Sequence, residues 1–445
     1  MKVLVVGGGG REHAIIWKIT QNPSVEKVYC APGNGGISEL AECVPIKATD
    51  INGMVEFAKT NHMDLVVVSP DDPLADGMVD ALQEVGVRAF GPVKAAAEIE
   101  GSKSFSKYLM KKHNIPTAEY EVFNNCEKAI KYLEKCKYPI VIKADGLAAG
   151  KGVIIAEDFG QASRVVKDMI ENRIFGEAGK KIIIEEFLKG KEVSALVFTD
   201  GRTIVPMVSA QDHKKVFDND EGLNTGGMGA FSPSRVYTPE LAELCMQKII
   251  RPSVEAMNKE GRAFKGVLYC GLMITDEGPK VLEYNARFGD PETQVILPRL
   301  KTDLIDIFNA IIDEKLDQIN VEWDERAAAC VILASGGYPE NYETGNEIKG
   351  ISIRGNSIEG KNIENRTRDK SNISDVLIFH AGTRLENGKY YTSGGRVLGV
   401  TAMGETLESA VERAYEEVEK IYFNNMHYRK DIGRKKESGF FGKTV

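Results

Sequence analysis

The chain has 445 residues, of which 42% are hydrophobic and 27% are charged, and its formal net charge is −8. These values predict a folded protein of about three domains and exclude a disordered chain, a collagen and a coiled-coil rod. No apolar run approaches the ~20 residues of a membrane helix, and Gly7 interrupts the first apolar run too early for a signal peptide. Because an acidic chain is not drawn to phosphate backbones, we expect no nucleic acid and no membrane among its partners.

Cysteine and histidine usage disfavours a disulfide framework and a zinc site. The seven cysteines are odd in number and contain no CxxC pair, and the six histidines lack the spacing of metal ligands. A reducing compartment is the simplest setting for such a chain, so we expect a cytoplasmic protein.

The N-terminal segment alternates short β runs with helical stretches. It begins with a strand over Val3–Val6 and a helix that includes Ala14–Ile19. The run Leu65–Val68 is continuously apolar, which is typical of a parallel strand buried on both faces. This alternation predicts a doubly wound α/β domain over residues 1–102.

The pattern changes after Gly101, where shorter strands, one helix and Gly-rich turns predict a small domain over residues 123–193. Longer β segments follow, with a hairpin turn at Asp276–Gly278. We therefore assign a central domain to 103–122 and 194–326, a small β-rich α+β domain to 327–433, and a flexible tail to 434–445.

Two glycine loops follow the first two predicted strands. A GxGxxG fingerprint would place Glu12 or His13 at the third glycine, and no carboxylate follows the second strand, so a dinucleotide site is disfavoured. A phosphate or phosphosugar site and a purely structural tight turn remain. The second loop, Pro32–Gly36, favours a ligand site because both loops would face one crevice. The candidate phosphosugar ligands are Gly8, Gly9, Gly10, Asn34 and Gly35.

A third glycine loop follows a buried strand that ends near Lys143. The loop contains Gly150 and Lys151, and its amides and positive charges suit a nucleotide triphosphate. It is not a Walker P-loop, because GxxxxGK[ST] is absent and no long helix follows. The alternative is a hairpin loop with a solvated lysine.

Two adjacent carboxylates end another apolar strand, and a short linker follows them. The backbone of the linker suits the adenine edge of a nucleotide, and an acid further on suits the ribose hydroxyls. The residues concerned are Glu185, Glu186, Phe187, Leu188 and Glu192. The alternative is a charged, exposed turn.

A charged segment ends the last long β run of the central domain. Strand alternation places Glu283, Asn285 and Arg287 on one face. It predicts that the side chains on the other face point into the core, namely Leu282, Tyr284 and Ala286. A carboxylate and an amide oxygen two residues apart suit Mg²⁺ that substrate phosphates complete. Arg287 offers a fork for a carboxylate or a phosphate. The alternative is a structural salt-bridge cluster.

A polar, Gly-rich region lies between β segments at 211–215 and 224–230. Its backbone amides suit an oxyanion or an acyl phosphate. We take Asp212, Lys214 and Gly227 as site residues, and we take His213 as a neighbour of the site rather than a catalytic base.

Taken together, these segments resemble the ATP-grasp ligases, and within them the phosphoribosylamine–glycine ligase family, also called glycinamide ribonucleotide synthetases. The resemblance extends from residue 1 to about residue 436. It is carried by VVGGGGREHA at 5–14, EGSK at 100–103, VIKADGLAAGKGV at 141–153, IEEFLKGKEVS at 184–194, AQDHK at 210–214, NTGGMGAFSP at 224–233, LEYNARFGDPETQ at 282–294 and GGRVLGVTAMG at 394–404.

The resemblance implies a reaction in purine biosynthesis. ATP phosphorylates glycine, and the amine of 5-phosphoribosylamine attacks the glycyl phosphate to give glycinamide ribonucleotide, ADP and phosphate. The domain over 123–193 would be the ATP-grasp lid, and the central domain would hold the rest of the ATP site. The family uses ATP with Mg²⁺ or Mn²⁺, and we expect a monomer or a weak dimer.

The resemblance also implies roles for single residues. Arg287 and Asp212 would hold the carboxylate and the amine of glycine, and the N-terminal loops would hold the aminosugar phosphate. Lys103 and Lys143 would neutralise the transferred phosphate, and Glu283 and Asn285 would bind the metal ion. The acid expected to bind ribose hydroxyls is here Asp71, which reaches one methylene less far than the glutamate of the family pattern, and the strand over 268–272 lacks the acidic metal ligand found in many ATP-grasp enzymes.

Two other functions remain open at this point. An ATP-grasp ligase for a different acid and amine would share the same nucleotide site. A nucleotide-binding protein without catalysis would have no need for a metal-assisted phosphoryl-transfer site, so Lys143, Glu283, Asn285 and Arg287 argue against it.

Overall fold

The structure, a computed structural model, describes residues 1–147, 152–351 and 375–434. Gly150, Lys151 and all but the first residue of the predicted tail lie outside the described residues. No helix in the described ranges combines the length and the apolar character needed to cross a bilayer.

The N-terminal domain is built on a sheet of parallel strands in the order β3-β2-β1-β4-β5. Val3 and Val5 of β1 contribute to one apolar cluster, and Leu4 and Val6 contribute to another, so the central strand is buried on both faces. This arrangement confirms the predicted doubly wound α/β fold. Its elements are β1 (Lys2–Gly7), α1 (Gly10–Ile19), β2 (Lys27–Pro32), β3 (Glu42–Cys43), α2 (Ile51–Thr60), β4 (Leu65–Val68), α3 (Asp71–Asp76), α4 (Met78–Glu84), β5 (Ala89–Phe90) and α5 (Lys94–Gly101).

The next segment forms an antiparallel sheet in the order β6-β9-β7-β8, with two helices packed against it. This unit has its own apolar core, in which Ile142 and Ile184 of the sheet accompany Val166 and Met169 of the second helix. Its elements are β6 (Tyr120–Phe123), α7 (Cys126–Leu133), β7 (Ile140–Ala144), β8 (Val153–Ala156), α8 (Phe159–Ile170) and β9 (Ile182–Glu186), and α6 (Lys103–Lys112) precedes them.

The central sheet is antiparallel and has the order β11-β10-β16-β17. The predicted hairpin joins β16 to β17. The elements of this region are β10 (Lys191–Thr199), β11 (Ile204–Pro206), β12 (Gln211–Asp212), β13 (Lys215–Phe217), β14 (Glu221–Asn224), β15 (Gly229–Ser232), α9 (Pro239–Cys245), α10 (Arg251–Lys259), β16 (Gly266–Thr275), β17 (Gly278–Asn285), α11 (Thr293–Ile296) and α12 (Leu304–Ile312).

A sheet with the strand order β12-β15-β18-β23-β20 joins the central region to the C-terminal region. It crosses the predicted boundary at 326/327, because β15 pairs directly with β18. The C-terminal elements are β18 (Ala327–Ser335), β19 (Glu347–Ile348), β20 (Val376–His380), β21 (Thr383–Glu386), β22 (Lys389–Thr392), β23 (Arg396–Gly404), α13 (Leu407–Val418) and β24 (Met426–His427). These elements confirm the predicted β-rich α+β character. Because β18 pairs with both β15 and β23, the start of β23 lies near the loop that precedes β15.

Candidate active site

A cluster of lysines surrounds Glu283 on β17. Nζ of Lys214 lies 3.2 Å from Oε1 of Glu283. Lys214 is the main cause that lowers the pKa of Glu283 to about 2, against the opposing effect of burial, and Lys143 and Lys103 act in the same direction. In return, Glu283 is the main reason that the pKa of Lys214 is raised well above its usual value. The cleft therefore holds an ionised carboxylate among three cations, an arrangement suited to a bound polyphosphate.

Arg287 is fixed by acids from the N-terminal domain. Its Nη2 atom lies 2.9 Å from Oε1 of Glu100 and 4.0 Å from Oδ2 of Asp71. The same nitrogen donates to Oδ1 of Asn285 at 3.1 Å, and Oε2 of Glu100 accepts from the amide of Ala286 at 2.6 Å. Nε of Arg287 is buried and has no hydrogen-bond partner among the described residues. One donor of the fork is thus left for a ligand.

Asp212 lies at the end of β12, beside the loop that contains Gly227. A Cβ atom placed on Gly227 would be 2.6 Å from Oδ1 of Asp212 and 2.4 Å from Cδ of Pro291, so only glycine fits there. Oδ1 of Asp212 is buried without a hydrogen-bond partner in the part of the chain described. Burial, followed by the charge of Glu292, raises the pKa of Asp212 well above its usual value. A ligand ammonium group at this oxygen would relieve both effects.

The loop amides near Gly227 are engaged within the protein. The amide of Gly226 donates to Oη of Tyr338 at 3.1 Å, and that of Gly227 donates to Oγ1 of Thr225 at 2.9 Å. The amide of Met228 donates to the carbonyl of His213 at 2.8 Å. In this conformation the loop does not offer these amides to an oxyanion, contrary to the interpretation of the sequence, and its side-chain neighbours provide the free polar atoms instead.

A buried ion cluster joins β9 to α6 and β7. Oε2 of Glu185 lies 3.1 Å from Nζ of both Lys107 and Lys143. Burial is the main cause that lowers the pKa of Lys107 to about 8, although Glu185 opposes it. Oε1 of Glu185 is buried and has no hydrogen-bond partner among the described residues. Glu186, the next residue, points away and accepts the amide of Glu119 at 3.1 Å. The two adjacent acids therefore face different surroundings, as strand alternation requires.

A small apolar cluster lies next to these charges. It contains Leu188, Met273 and Ala118, with Leu282 packed against it. The sequence predicted that Leu282 points into the core with Tyr284 and Ala286, and this is wrong, because Leu282 packs against the small cluster and not within the larger one that holds those two residues. The pairing of β16 with β17 shifts between Gly271 and Leu272, so the residue opposite the shift leaves the alternation. The resulting apolar surface beside Leu188 suits the flat ring of a nucleotide base.

The remaining nucleotide candidates flank this cluster. Phe187 follows β9 directly and is half-buried. Oε2 of Glu192, on β10, lies 3.6 Å from Nζ of Lys214. Nζ of Lys103 donates to the carbonyl of Gly146 at 2.6 Å, and burial is the main cause that lowers its pKa.

The N-terminal glycine loops meet each other and the C-terminal region. Nδ2 of Asn34 donates to the carbonyl of Gly8 at 2.9 Å and to that of His380 at 2.8 Å. The amide of Gly35 donates to the carbonyl of Thr383 at 2.9 Å. The amide of Gly9 donates to Oε2 of Glu12 at 2.6 Å, and Gly10 begins α1. Asn34 and Gly35 therefore also fasten the loops to β20 and β21, besides any role toward a ligand.

Several residues of the site carry no local signal in the sequence. Glu100 lies at the end of α5 and belongs to the EGSK segment, yet nothing nearby in the chain indicates its partner Arg287. Glu12 occupies the position that a dinucleotide fingerprint gives to its third glycine. Its Oε1 atom accepts from Oγ of Ser69 at 2.6 Å. A polar residue inside a glycine-rich turn is the only sign that could have pointed to this contact.

The residues predicted to bind metal carry hard oxygen donors. Glu283 and Asn285 both lie on β17, and each has a side-chain oxygen atom that could bind a cation. In the described ranges, no group of three or more His, Cys, Asp and Glu residues could hold an ion by itself. A divalent ion bound through one or two protein oxygens and completed by phosphates fits such a site.

Comparisons with known proteins agree along most of the chain. Residues 1–100 match the family described as phosphoribosylglycinamide synthetase, N domain; residues 101–293 match its ATP-grasp (A) domain, and residues 328–435 its C domain. A phosphoribosylamine–glycine ligase of Clostridium acetobutylicum is 49% identical over 436 residues, covering 98% of this chain and 100% of the relative. That of Caldanaerobacter subterraneus subsp. tengcongensis is 49% identical over 432 residues, covering 97% and 99%.

Solved structures show the same relationship. The crystal structure of phosphoribosylamine–glycine ligase from Thermotoga maritima has a TM-score of 0.81 at 33% identity and covers 97% of this chain and 100% of its own. A biotin carboxylase from Campylobacter jejuni, with a TM-score of 0.72 at 11% identity over 96% of this chain and 92% of its own, shares the fold alone. The chain belongs to the phosphoribosylamine–glycine ligase family of ATP-grasp enzymes.

Proposed function

We propose that this enzyme uses ATP to join glycine to 5-phosphoribosylamine through a glycyl phosphate, giving glycinamide ribonucleotide, ADP and phosphate. One observation carries the choice of glycine as the acid. Of the residues assigned to glycine, two have a buried polar atom without a hydrogen-bond partner in the described part of the chain: Oδ1 of the Asp212 carboxylate and Nε of Arg287. A small amino acid brings one ammonium and one carboxylate, which are the complementary groups.

The nucleotide is proposed to lie between the lid and the central sheet. Its base contacts the apolar cluster of Leu188, Met273 and Leu282. Oε1 of Glu185, which has no hydrogen-bond partner among the described residues, can accept from a donor on the base. Its phosphates meet Lys103 and Lys143, whose charges neutralise the departing group. Glu192, on the exposed side, is placed to accept from the ribose hydroxyls.

A divalent cation, Mg²⁺ or Mn²⁺, would be held by Glu283 and Asn285 and would neutralise charge on the transferred phosphate. Lys214 keeps Glu283 ionised, since it lowers the pKa of that carboxyl. Arg287 orients the glycine carboxylate toward the terminal phosphate, and Asp212 holds the glycine amine away from it. The chain thus acts by positioning and by charge, without a covalent protein intermediate.

The second substrate is proposed to occupy the crevice beside the N-terminal glycine loops. The start of α1 offers backbone amides to its phosphate, and Asp71 at the start of α3 faces the same crevice as Arg287. The aminosugar amine would then approach the glycyl phosphate from the N-terminal side. We further propose that the enzyme works in a reducing cytoplasm, in keeping with the seven cysteines being free.

A coupled assay of ADP release tests the function. Purified protein is mixed with ATP, Mg²⁺, glycine and freshly made phosphoribosylamine, and each cosubstrate is omitted in turn. We expect steady ADP formation only when both are present, with glycinamide ribonucleotide formed in equal amount. Equal rates with another small amino acid in place of glycine would refute the assignment of the acid.

A further inference from the structure

Arg396 is the first residue of β23 in the C-terminal region, yet its guanidinium lies among the loops of the cleft. Nη1 donates to the carbonyl of Gly226 at 2.8 Å and to that of Asp290 at 2.9 Å. Nη2 donates to Oδ2 of Asp290 at 2.9 Å. One planar group therefore binds two loops that are 64 residues apart in the chain, one before β15 and one after β17.

The approach of Arg396 depends on the glycine that precedes it. A Cβ atom placed on Gly395 would lie 2.3 Å from the ring of Tyr338, and Oη of that tyrosine accepts the amide of Gly226. The GGRVLGVTAMG segment of the sequence thus has a physical role at its first three residues. Gly395 and Arg396 bring a tyrosine and a charged side chain to the same residue of the loop, where Tyr338 accepts from the amide of Gly226 and Arg396 donates to its carbonyl.

The loop before β15 reaches the proposed site of the glycine amine, and the loop after β17, which also carries Arg287, reaches the N-terminal glycine loops. On one side, Gly227 packs against Asp212, the acid assigned to the glycine amine. On the other, Oδ1 of Asp290 accepts from Nε2 of Gln294 at 2.7 Å, and a Cβ atom on Gly10 would lie 2.7 Å from that same nitrogen. Gly10 begins α1, the helix whose N-terminus is proposed to bind the aminosugar phosphate.

We propose that Arg396 is a positioning residue. It holds the loop before β15 and the loop after β17 at the separation that the aminosugar amine needs to attack the acyl phosphate. The inference rests on the proposed function and goes beyond it, because it assigns a task to the C-terminal region. In this proposal Arg396 acts through the carbonyls and the carboxylate that it holds. Lysine keeps the charge but cannot supply the planar fork to two loops at once.

The test compares R396K and R396Q with the wild-type enzyme by steady-state kinetics and by the ratio of ADP to glycinamide ribonucleotide. We expect KM for glycine to rise by about tenfold or more, since small misplacements in such sites have large effects on rate. We also expect the ratio to exceed one, because a misplaced amine leaves the acyl phosphate to water. KM for ATP should stay near the wild-type value. R326K is the matched control, because Arg326 is also ion-paired, with Asp324 at 2.8 Å and Asp375 at 3.0 Å, outside the cleft.

A purely structural role would reduce the amount of active enzyme and leave both KM for glycine and the product ratio unchanged. That outcome in folded R396K and R396Q overturns the proposal, and so does a failure of both variants to fold. A wild-type enzyme that forms no glycinamide ribonucleotide would instead refute the proposed function, and the inference with it. An active wild type with unaffected variants refutes the inference alone.

Discussion

Glu100 and Arg287 form an ion pair of 2.9 Å between Oε1 and Nη2, although they are far apart in the sequence and come from different domains. Burial raises the pKa of Glu100 despite the charge of Arg287. Burial alone would lower the pKa of Arg287, yet Glu100 and Asp71 raise it above its usual value. The pair therefore keeps the arginine charged and engages Nη2, while Nε has no hydrogen-bond partner among the described residues.

Glu100→Gln should weaken the binding of glycine. The amide oxygen of the glutamine can still accept from the backbone amide of Ala286. Its NH2 group then faces the guanidinium of Arg287, and two donors cannot form a hydrogen bond, so Arg287 is no longer held in place. We expect KM for glycine to rise by about tenfold, which corresponds to ~1.4 kcal/mol, with KM for ATP unchanged. Glu98→Gln is the control on the same helix, since Glu98 pairs with Arg262 at the surface. An unchanged KM for glycine would mean that Arg287 does not depend on this acid.

Glu283→Gln should abolish most turnover while the protein still unfolds cooperatively. The substitution keeps the size of the side chain but removes the negative charge that faces Lys214, Lys143 and Lys103. Because even indirect changes around a metal cost 10–100-fold, we expect kcat to fall by at least ~100-fold. Glu277→Gln, in the turn of the same hairpin, removes an exposed acid that pairs with Lys280 and serves as the control. Near wild-type rates in Glu283→Gln would remove this residue from the proposed metal site.

The sequence predicted those elements whose signals are local. The strand Leu65–Val68 has the predicted bounds, because a continuous apolar run is recognisable from its own few residues. The hairpin turn at Asp276–Gly278 was found for the same reason. The shift opposite Leu282 was missed, because a bulge depends on how β17 pairs with β16 and not on its own residues.

The candidate site was predictable only as separate segments. Glu283, Asn285 and Arg287 follow from alternation along one strand, and the structure places all three at one edge. The contacts of Glu100 and Arg396 join residues more than 100 positions apart, which no periodicity can indicate. A sheet shared between two predicted domains was missed for the same reason, since short strands such as β15 find their partners only in the folded chain.

Lys143→Met should impair the use of ATP more than that of glycine. Methionine occupies a similar volume but carries no charge. The buried carboxylate of Glu185 then keeps its ion pair with Lys107 and loses the one with Lys143. We expect KM for ATP to rise by about tenfold or more and KM for glycine to change little, because the proposed contact is with phosphate. Lys180→Met is the control within the lid, where Lys180 pairs with the exposed Glu177. If the ATP dependence of Lys143→Met equals that of the wild type, Lys143 does not bind phosphate.

Gly227→Ala should lose activity through a clash in the glycine pocket. The added methyl would lie 2.4 Å from Pro291 and 2.6 Å from Asp212, and φ at this residue is +114°, which L side chains rarely adopt. We expect a fall in kcat/KM for glycine of about 100-fold, since the methyl displaces the acid assigned to the amine. Gly261→Ala is the control that separates backbone strain from side-chain contact. Gly261 also has a positive φ, of +70°, but no atom lies within 4 Å of the added methyl. That control should lose about 1 kcal/mol of stability and keep its kinetics. Equal kinetics for the two variants would show that the pocket does not depend on Gly227.

Acid should destabilise the contact between α1 and β20. Nδ1 of His13 accepts from the amide of His380 at 2.8 Å, and burial lowers the pKa of His13 to about 3 and that of His380 well below its usual value. The unfolded chain takes up a proton at each histidine near pH 6.5, whereas the folded chain does not until the pH is far lower. Stability is therefore full above pH 6.5 and declines as the pH falls below it.

We expect each of the two histidines to cost about 1.4 kcal/mol of unfolding free energy at pH 5.5 relative to neutral pH. Urea unfolding at pH 7.5 and pH 5.5 measures the difference. His13→Asn keeps an acceptor for the amide of His380 but does not titrate, so the variant should lose about half of this histidine-dependent part of the pH dependence. His62→Asn, at an exposed position, should retain it in full. A pH dependence that is the same in wild type and His13→Asn would show that His13 is protonated in the folded state at pH 5.5.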